Sequence, residues 1–167
     1  MTRWLNPDER AAWVRLAAVL ERLPGVLETQ LTRDSNLSHF EYWVLAMLSE
    51  APEGRLRMSD LAAVTSATLP RLSHVAQRLE SRGLLKRVPC PHDRRVTKAE
   101  LTAAGRRAIE EAAPGHVEEV RERVIDALTA EQLTELTLSL DAILRRLGPD
   151  AVAIADRLDW QAPTVAR

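Results

Sequence analysis

The stretch LPRLSHVAQRLESRGLLKRVPCPHDRRVTKAELT, from Leu69 to Thr102, constrains this chain more than any other. Leu72, Val75, Ala76 and Leu79 recur at i, i+3, i+4 and i+7, the spacing that gathers apolar residues on one face of a helix. Pro70, Arg71, His74, Gln77 and Arg78 fall outside that stripe and are left to solvent or a ligand. Gly83 stands where a helix ends in a left-handed residue. Leu84 to Val88 then reads as a short strand. Pro89, Cys90, Pro91, His92 and Asp93 break it, and Val96 to Leu101 can return as its partner. A helix followed by a two-stranded ribbon with a basic tip is the sequence shape of a winged helix.

Charge marks the same stretch. Ten Lys or Arg fall between Leu69 and Arg107 against three acids, a local balance of +7 in a chain whose total is −1. A basic surface on an acidic body is the electrostatic footprint of a nucleic-acid binder. A solvated charged helix face is the plainer reading of Arg78, Arg82 and Lys86 taken alone.

A chain of 167 residues suits one domain with a helical extension, long enough to bury a core without staples. Leu and Ala dominate, so the class should be mainly α. Cys90 is the single cysteine, which rules out an intrachain disulfide and a Cys-based zinc cluster and agrees with a cytoplasmic location. The start MTRWLNPDER lacks the apolar core of a signal peptide, and no run is long enough to span a bilayer. No glycine-rich phosphate loop, nucleophile elbow or His/Cys constellation points to an enzyme. His74, His92 and His116 lack metal-ligand spacing, so no cofactor or metal is expected.

In chain order, Asn6, Pro7 and Glu9 open a first helix. Its apolar positions are Trp13, Leu16, Ala17, Leu20, Leu23 and Leu27, and Pro24 predicts a kink or break near Leu23. Thr32 to Leu37 reads as a polar loop. Ser38 and Glu41 form a capping box for a helix through Leu48, with Phe40, Trp43, Val44, Met47 and Leu48 facing inward. Ala51 to Arg57 is a turn, and Ser59 is expected to cap a short helix. Thr65 to Thr68 then turns into the Leu69 helix with Thr68 as N-cap, which completes a helix-turn-helix. Thr102 caps a long helix, with a bend expected at Pro114-Gly115. Thr129 and Gln132 open the last helix, and Gly148-Pro149 ends it. One further helical turn over 153–158, anchored by Trp160, is a weak extension of this pattern.

The fold class is therefore mainly α with a small β-wing: a winged helix-turn-helix flanked by N- and C-terminal dimerisation helices. The divisions are residues 1–37 for the N-terminal dimerisation helix and 38–102 for the DNA-binding domain. Residues 103–148 form the C-terminal dimerisation helices, and 149–167 a tail. The terminal helices carry more apolar surface than a small winged helix can cover, and a two-fold partner is the common solution.

These residues resemble the MarR (multiple antibiotic resistance regulator) family of bacterial transcription factors. The wing signature of that family is D-x-R, five residues, then L-T; here it is Asp93, Arg94, Arg95, VTKAE, Leu101 and Thr102. The family-like LxxRG-L run supplies Leu79, Gly83 and Leu84, and the likeness extends from Pro7 to Leu147. The resemblance implies a homodimer on a pseudo-palindromic operator of double-stranded DNA, most simply as a repressor. It places Arg71, Ser73, His74 and Arg78 at the major groove or its phosphates. Arg95 becomes the minor-groove residue of the wing, with Arg94 beside it and Asp93 holding the wing arginine by an ion pair. Ser59, Thr68 and helix N-termini can position phosphates without reading bases.

The resemblance also implies release by a small aromatic or phenolic effector, for which Trp13, His39 and Trp43 are the candidates; tryptophans at helical spacing are more often core residues. Cys90 lacks the first-helix context of the family's redox sensors and reads as an ordinary wing residue. The same residues also suit an architectural or protein-interaction module that senses no ligand.

Overall fold

A computed structural model describes residues 1–90 and 93–148, apart from the side chains of 93–95. The expected roles of the Asp93, Arg94 and Arg95 side chains, and the expected turn over 153–158 with Trp160, lie outside the described residues.

The order of elements is α1 (Pro7–Ser35), α2 (His39–Glu50), β1 (Arg55–Arg57), α3 (Met58–Val64), α4 (Leu69–Ser81), β2 (Leu85–Cys90), β3 (Asp93–Leu101), α5 (Ala103–Val120) and α6 (Ala130–Leu147). Helices α3 and α4 are the helix-turn-helix, and β2 and β3 are the wing. Leu72, Val75, Ala76 and Leu79 are all buried, as their spacing requires. Burying Leu72, Val75 and Leu79 contributes about 5–8 kcal/mol of gross transfer free energy, an upper bound because unfolded chains are already partly collapsed. Leu45, Leu48, Leu61, Leu85, Ala99 and Ile109 complete the same core.

The expected caps form at five helices, Thr102 at the start of α5 among them. Asn6 with Glu9, Ser38 with Glu41, and Thr129 with Gln132 are reciprocal capping boxes, and the Thr68 hydroxyl accepts from the Arg71 N–H. Ser59 is a correction. Arg57 occupies the cap position of α3 without a side-chain bond, and the Ser59 hydroxyl donates to Asp60 instead. The cause is β1. Arg55–Arg57, expected as part of a turn, pairs antiparallel with β3 as Arg55↔Glu100, Leu56↔Ala99 and Arg57↔Lys98, so α3 starts directly from a strand. The sheet order is β1-β3-β2.

The prolines do not break their helices. Pro24 does not break α1, which runs on to Ser35 through the expected polar loop and ends at left-handed Asn36. Leu27, Gln30 and Leu31, just beyond the proline, are buried, and α1 packs along α5. That packing outweighs one missing backbone bond. Pro114 likewise leaves α5 uninterrupted, and the irregularity comes later as a π-helical turn over Arg121–Ile125. The wing strands are longer than expected, since β2 continues through Pro89 and Cys90 with a register shift between them. β2 is an edge strand, where a proline is tolerated.

The base of the wing is locked by Thr102. Gly83 has φ +70°, the Gly83 N–H bonds to the Glu80 carbonyl, and the Leu84 N–H bonds to the Leu79 carbonyl. These bonds make a Schellman stop for α4. The Thr102 hydroxyl donates to the Gly83 carbonyl at 2.7 Å and accepts from the Gly105 N–H at 3.0 Å. A Cβ at Gly105 would overlap the Leu84 carbonyl oxygen and lie 2.8 Å from Leu101 Cδ1. Helix α4, the wing and α5 therefore meet at one rigid junction.

Candidate nucleic-acid interface

Helix α4 projects from the core with a buried stripe behind it and Arg71, His74, Gln77 and Arg78 exposed in front. Ser73 is half-buried, Thr68 is exposed at the N-terminus, and Ser59 is exposed in the first turn of α3. Free backbone N–H groups at a helix start favour phosphate oxygens.

The arginines of α4 are held in different ways. Arg78 and Arg82 converge on Glu41, at 3.2 and 3.4 Å. Glu41 is only 6% exposed, and it also accepts from the Ser38 N–H at 2.9 Å. Arg82 donates a second bond to the Asn36 carbonyl at 2.9 Å. Expected as a DNA contact, Arg78 thus has an internal carboxylate partner. The sequence marks Glu41 only as a cap, and the local pattern carries no sign of its two arginines. Arg71 instead sits over the Phe40 ring, with its Cζ 4.1 Å from the ring centroid.

Other charges of the basic stretch are also paired. Arg87 binds Glu80 through its backbone N–H and its guanidinium, which hold the Glu80 carboxyl below the ordinary glutamate range. Lys86 binds Glu100 at 2.9 Å and lowers its pKa in the same way. Glu80 and Glu100, already counted in the net +7, brace the wing against α4 and along its own strands. Among the described residues of this stretch, Arg71, Lys98, Arg106 and Arg107 have no acid partner.

The residues proposed for an effector are not gathered as expected. Trp13 is 56% exposed. It lies fifteen residues before Glu28, about 22 Å of helix. The Glu28 carboxylate accepts from the His39 backbone N–H at 2.7 Å, so Trp13 is remote from His39 and Trp43 within one chain. Trp43 is half-buried against the core. What His39 does meet is His116 of α5, with ring centroids 6.1 Å apart, while Tyr42 lies 4.3 Å from His116. Burial holds both imidazoles below the ordinary histidine pKa, and His39 depresses His116 further. His116 Nδ1 and Gln30 Oε1 are buried without a hydrogen-bond partner. This group joins positions from three separate helices, and periodicity could not have found it.

Cys90 is buried at the end of β2. No helix of the described residues is long and apolar enough to cross a membrane.

Comparison with known proteins agrees with this architecture. A profile of the MarR family matches residues 29–96. The chain is similar to Sco3205 of Streptomyces coelicolor, a MarR family transcriptional regulator solved in complex with DNA. The two share 38% identity over 88% of this chain and 92% of that one, with a TM-score of 0.85. It is similar also to AbsC, another MarR family regulator of Streptomyces coelicolor, at 40% identity over 87% and 98% of the two chains and a TM-score of 0.83. The fold is shared with BpsR of Bordetella bronchiseptica, whose DNA binding is regulated by 6-hydroxynicotinic acid, at 23% identity over 80% and 98% and a TM-score of 0.69. With its winged helix, its wing signature and its likeness to two regulators along nearly their whole length, the chain belongs to the MarR family of DNA-binding transcriptional regulators.

Proposed function

We propose that two copies of this chain bind a pseudo-palindromic operator as a cytoplasmic repressor that a small aromatic or phenolic molecule releases. The observation that carries the reading is the exposed face of α4. It presents Arg71 and His74 from a rigid junction, with Arg71 free of any carboxylate among the described residues. Arg71, His74 and Ser73 address the major groove, Thr68 and Ser59 the phosphates, and Arg95 with Arg94 the minor groove, where Asp93 steadies the wing. Arg78 serves chiefly to hold α4.

The dimer reading rests on apolar surface that one copy leaves open. Trp4, Leu5, Trp13, Val14 and Leu20 of the N-terminal region are exposed, as are Leu136, Leu140, Ile143, Leu144 and Leu147 of α6. For the effector, His39 and Trp43 remain in the reading with Tyr42 and His116 beside them. The unpartnered Nδ1 and the aromatic rings suit a flat, polar-edged molecule, and a partner chain is the remaining source for Trp13.

The test is selection of duplexes from a random library, followed by anisotropy titration of the best duplex and a scrambled control at two salt concentrations. The expected result is a two-fold symmetric consensus with preference of about 1,000-fold or more. Binding should weaken steeply with salt, as counterion release requires. Equal binding to both duplexes would replace the reading with an architectural role.

A further inference from the structure

Helix α4 and its C-cap carry three arginines, and the first turn of α2 sorts them. Arg78 and Arg82 share the Glu41 carboxylate. Arg71 meets Phe40, the residue immediately before Glu41 and the only phenylalanine in the chain. Phe40 is half-buried and packs against the core, so its ring is a fixed platform.

The choice of partner has a chemical consequence. A carboxylate neutralises a guanidinium and occupies its N–H donors. A ring face attracts the same cation through its quadrupole and takes no donor. Arg71 over Phe40 is therefore restrained yet keeps its full charge and its five N–H groups. Those properties are what bidentate recognition of guanine O6 and N7 requires, because both bonds lie in the guanidinium plane. A long side chain free to sample many rotamers would lose more freedom on binding than one already held.

We propose that Phe40 is a positioning residue for base readout, holding Arg71 over its ring in the orientation that reads a base. The proposal rests on the reading of α4 as the base-reading helix. Phe40 touches no base itself; it acts through Arg71. A cation–π contact at an exposed site changes an equilibrium by about two- to fivefold. An operator with two half-sites counts it twice, so removing the ring should lower sequence preference by about four- to 25-fold.

The experiment uses the full-length protein, the best duplex from random-library selection and a scrambled duplex. Phe40→Met removes the ring but keeps an apolar side chain, and Phe40→Tyr keeps the ring. Both are also made together with Arg71→Ala. The expected result is that Phe40→Met lowers preference for the selected duplex by that factor and leaves scrambled-DNA affinity and the salt slope unchanged. Phe40→Tyr should retain the preference, and Phe40→Met should have no further effect once Arg71 is alanine. The proposal is overturned if Arg71→Ala lowers the preference while Phe40→Met does not. It is also overturned if Phe40→Met costs as much in the Arg71→Ala background, because Phe40 would then act through packing alone. If Arg71→Ala itself leaves the preference intact, the base-reading role of Arg71 fails, and this inference fails with it.

Discussion

Replacing Glu41 should show how much of the recognition helix is held by one carboxylate. Glu41→Ala removes an acceptor for Ser38 N–H in the α2 capping box, which is worth about 1 kcal/mol. It also removes ion pairs to Arg78 and Arg82, whose side chains are 50% and 34% exposed. Their solvent access limits each pair to about 0.5–1 kcal/mol, well below the cost of stranding a fully buried charge. Losing one buried methylene adds about 0.8 kcal/mol. The sum is about 3 kcal/mol. For a protein of this size that corresponds to a fall in Tm of roughly 6–12 °C, measured by circular dichroism at fixed protein concentration. Glu41→Gln keeps the length of the side chain and an acceptor for Ser38, so it should lose about half as much. A double-mutant cycle with Arg78→Ala should give a coupling of about 0.5–1 kcal/mol that shrinks at high salt. A Glu41→Ala variant that melts within about 1 °C of the parent, with no coupling to Arg78, would refute the reasoning.

Gly105→Ala should destabilise the chain by about 1–3 kcal/mol in denaturant titration, because the added Cβ meets the Leu84 backbone, which cannot swing aside; an unchanged midpoint would mean that the junction is looser than its geometry. His116 has its folded pKa below 6.5, through burial first and the neighbouring His39 second. Its contribution to stability is therefore complete above the unfolded pKa and lost as pH falls below about 6.5 towards the folded value. His116→Leu should flatten the fall in Tm between about pH 7 and 5, and equal slopes in parent and variant would remove His116 from the effect. Leu140→Glu together with Ile143→Glu should convert the proposed dimer to monomer in sedimentation velocity, because charges replace apolar surface; an intact dimer would place the interface away from α6.

The local devices are written in the chain's own neighbouring residues. The Leu72 stripe, the caps at Asn6, Ser38, Thr68, Thr102 and Thr129, and the left-handed stop at Gly83 need only neighbours within a turn or two, so periodicity and residue chemistry suffice to place them. The wing signature was legible only through its resemblance to a known family, and the junction explains its terminal threonine: Thr102 binds the end of α4 and starts α5. Tertiary structure decided whatever depends on distant partners. Arg55–Arg57 is a strand only because β3 lies beside it, and α1 continues past Pro24 with α5 packed along it. Arg71 and Arg78 look alike on the helical wheel, yet one rests on a ring and the other on a carboxylate from α2. His39, Tyr42 and His116 become one group only when α2 packs on α5. Backbone propensity acts over a few residues, whereas the partner of a charge or a ring is set by whichever surface the fold brings against it, and that choice leaves Arg71 without a carboxylate while Arg78 has one.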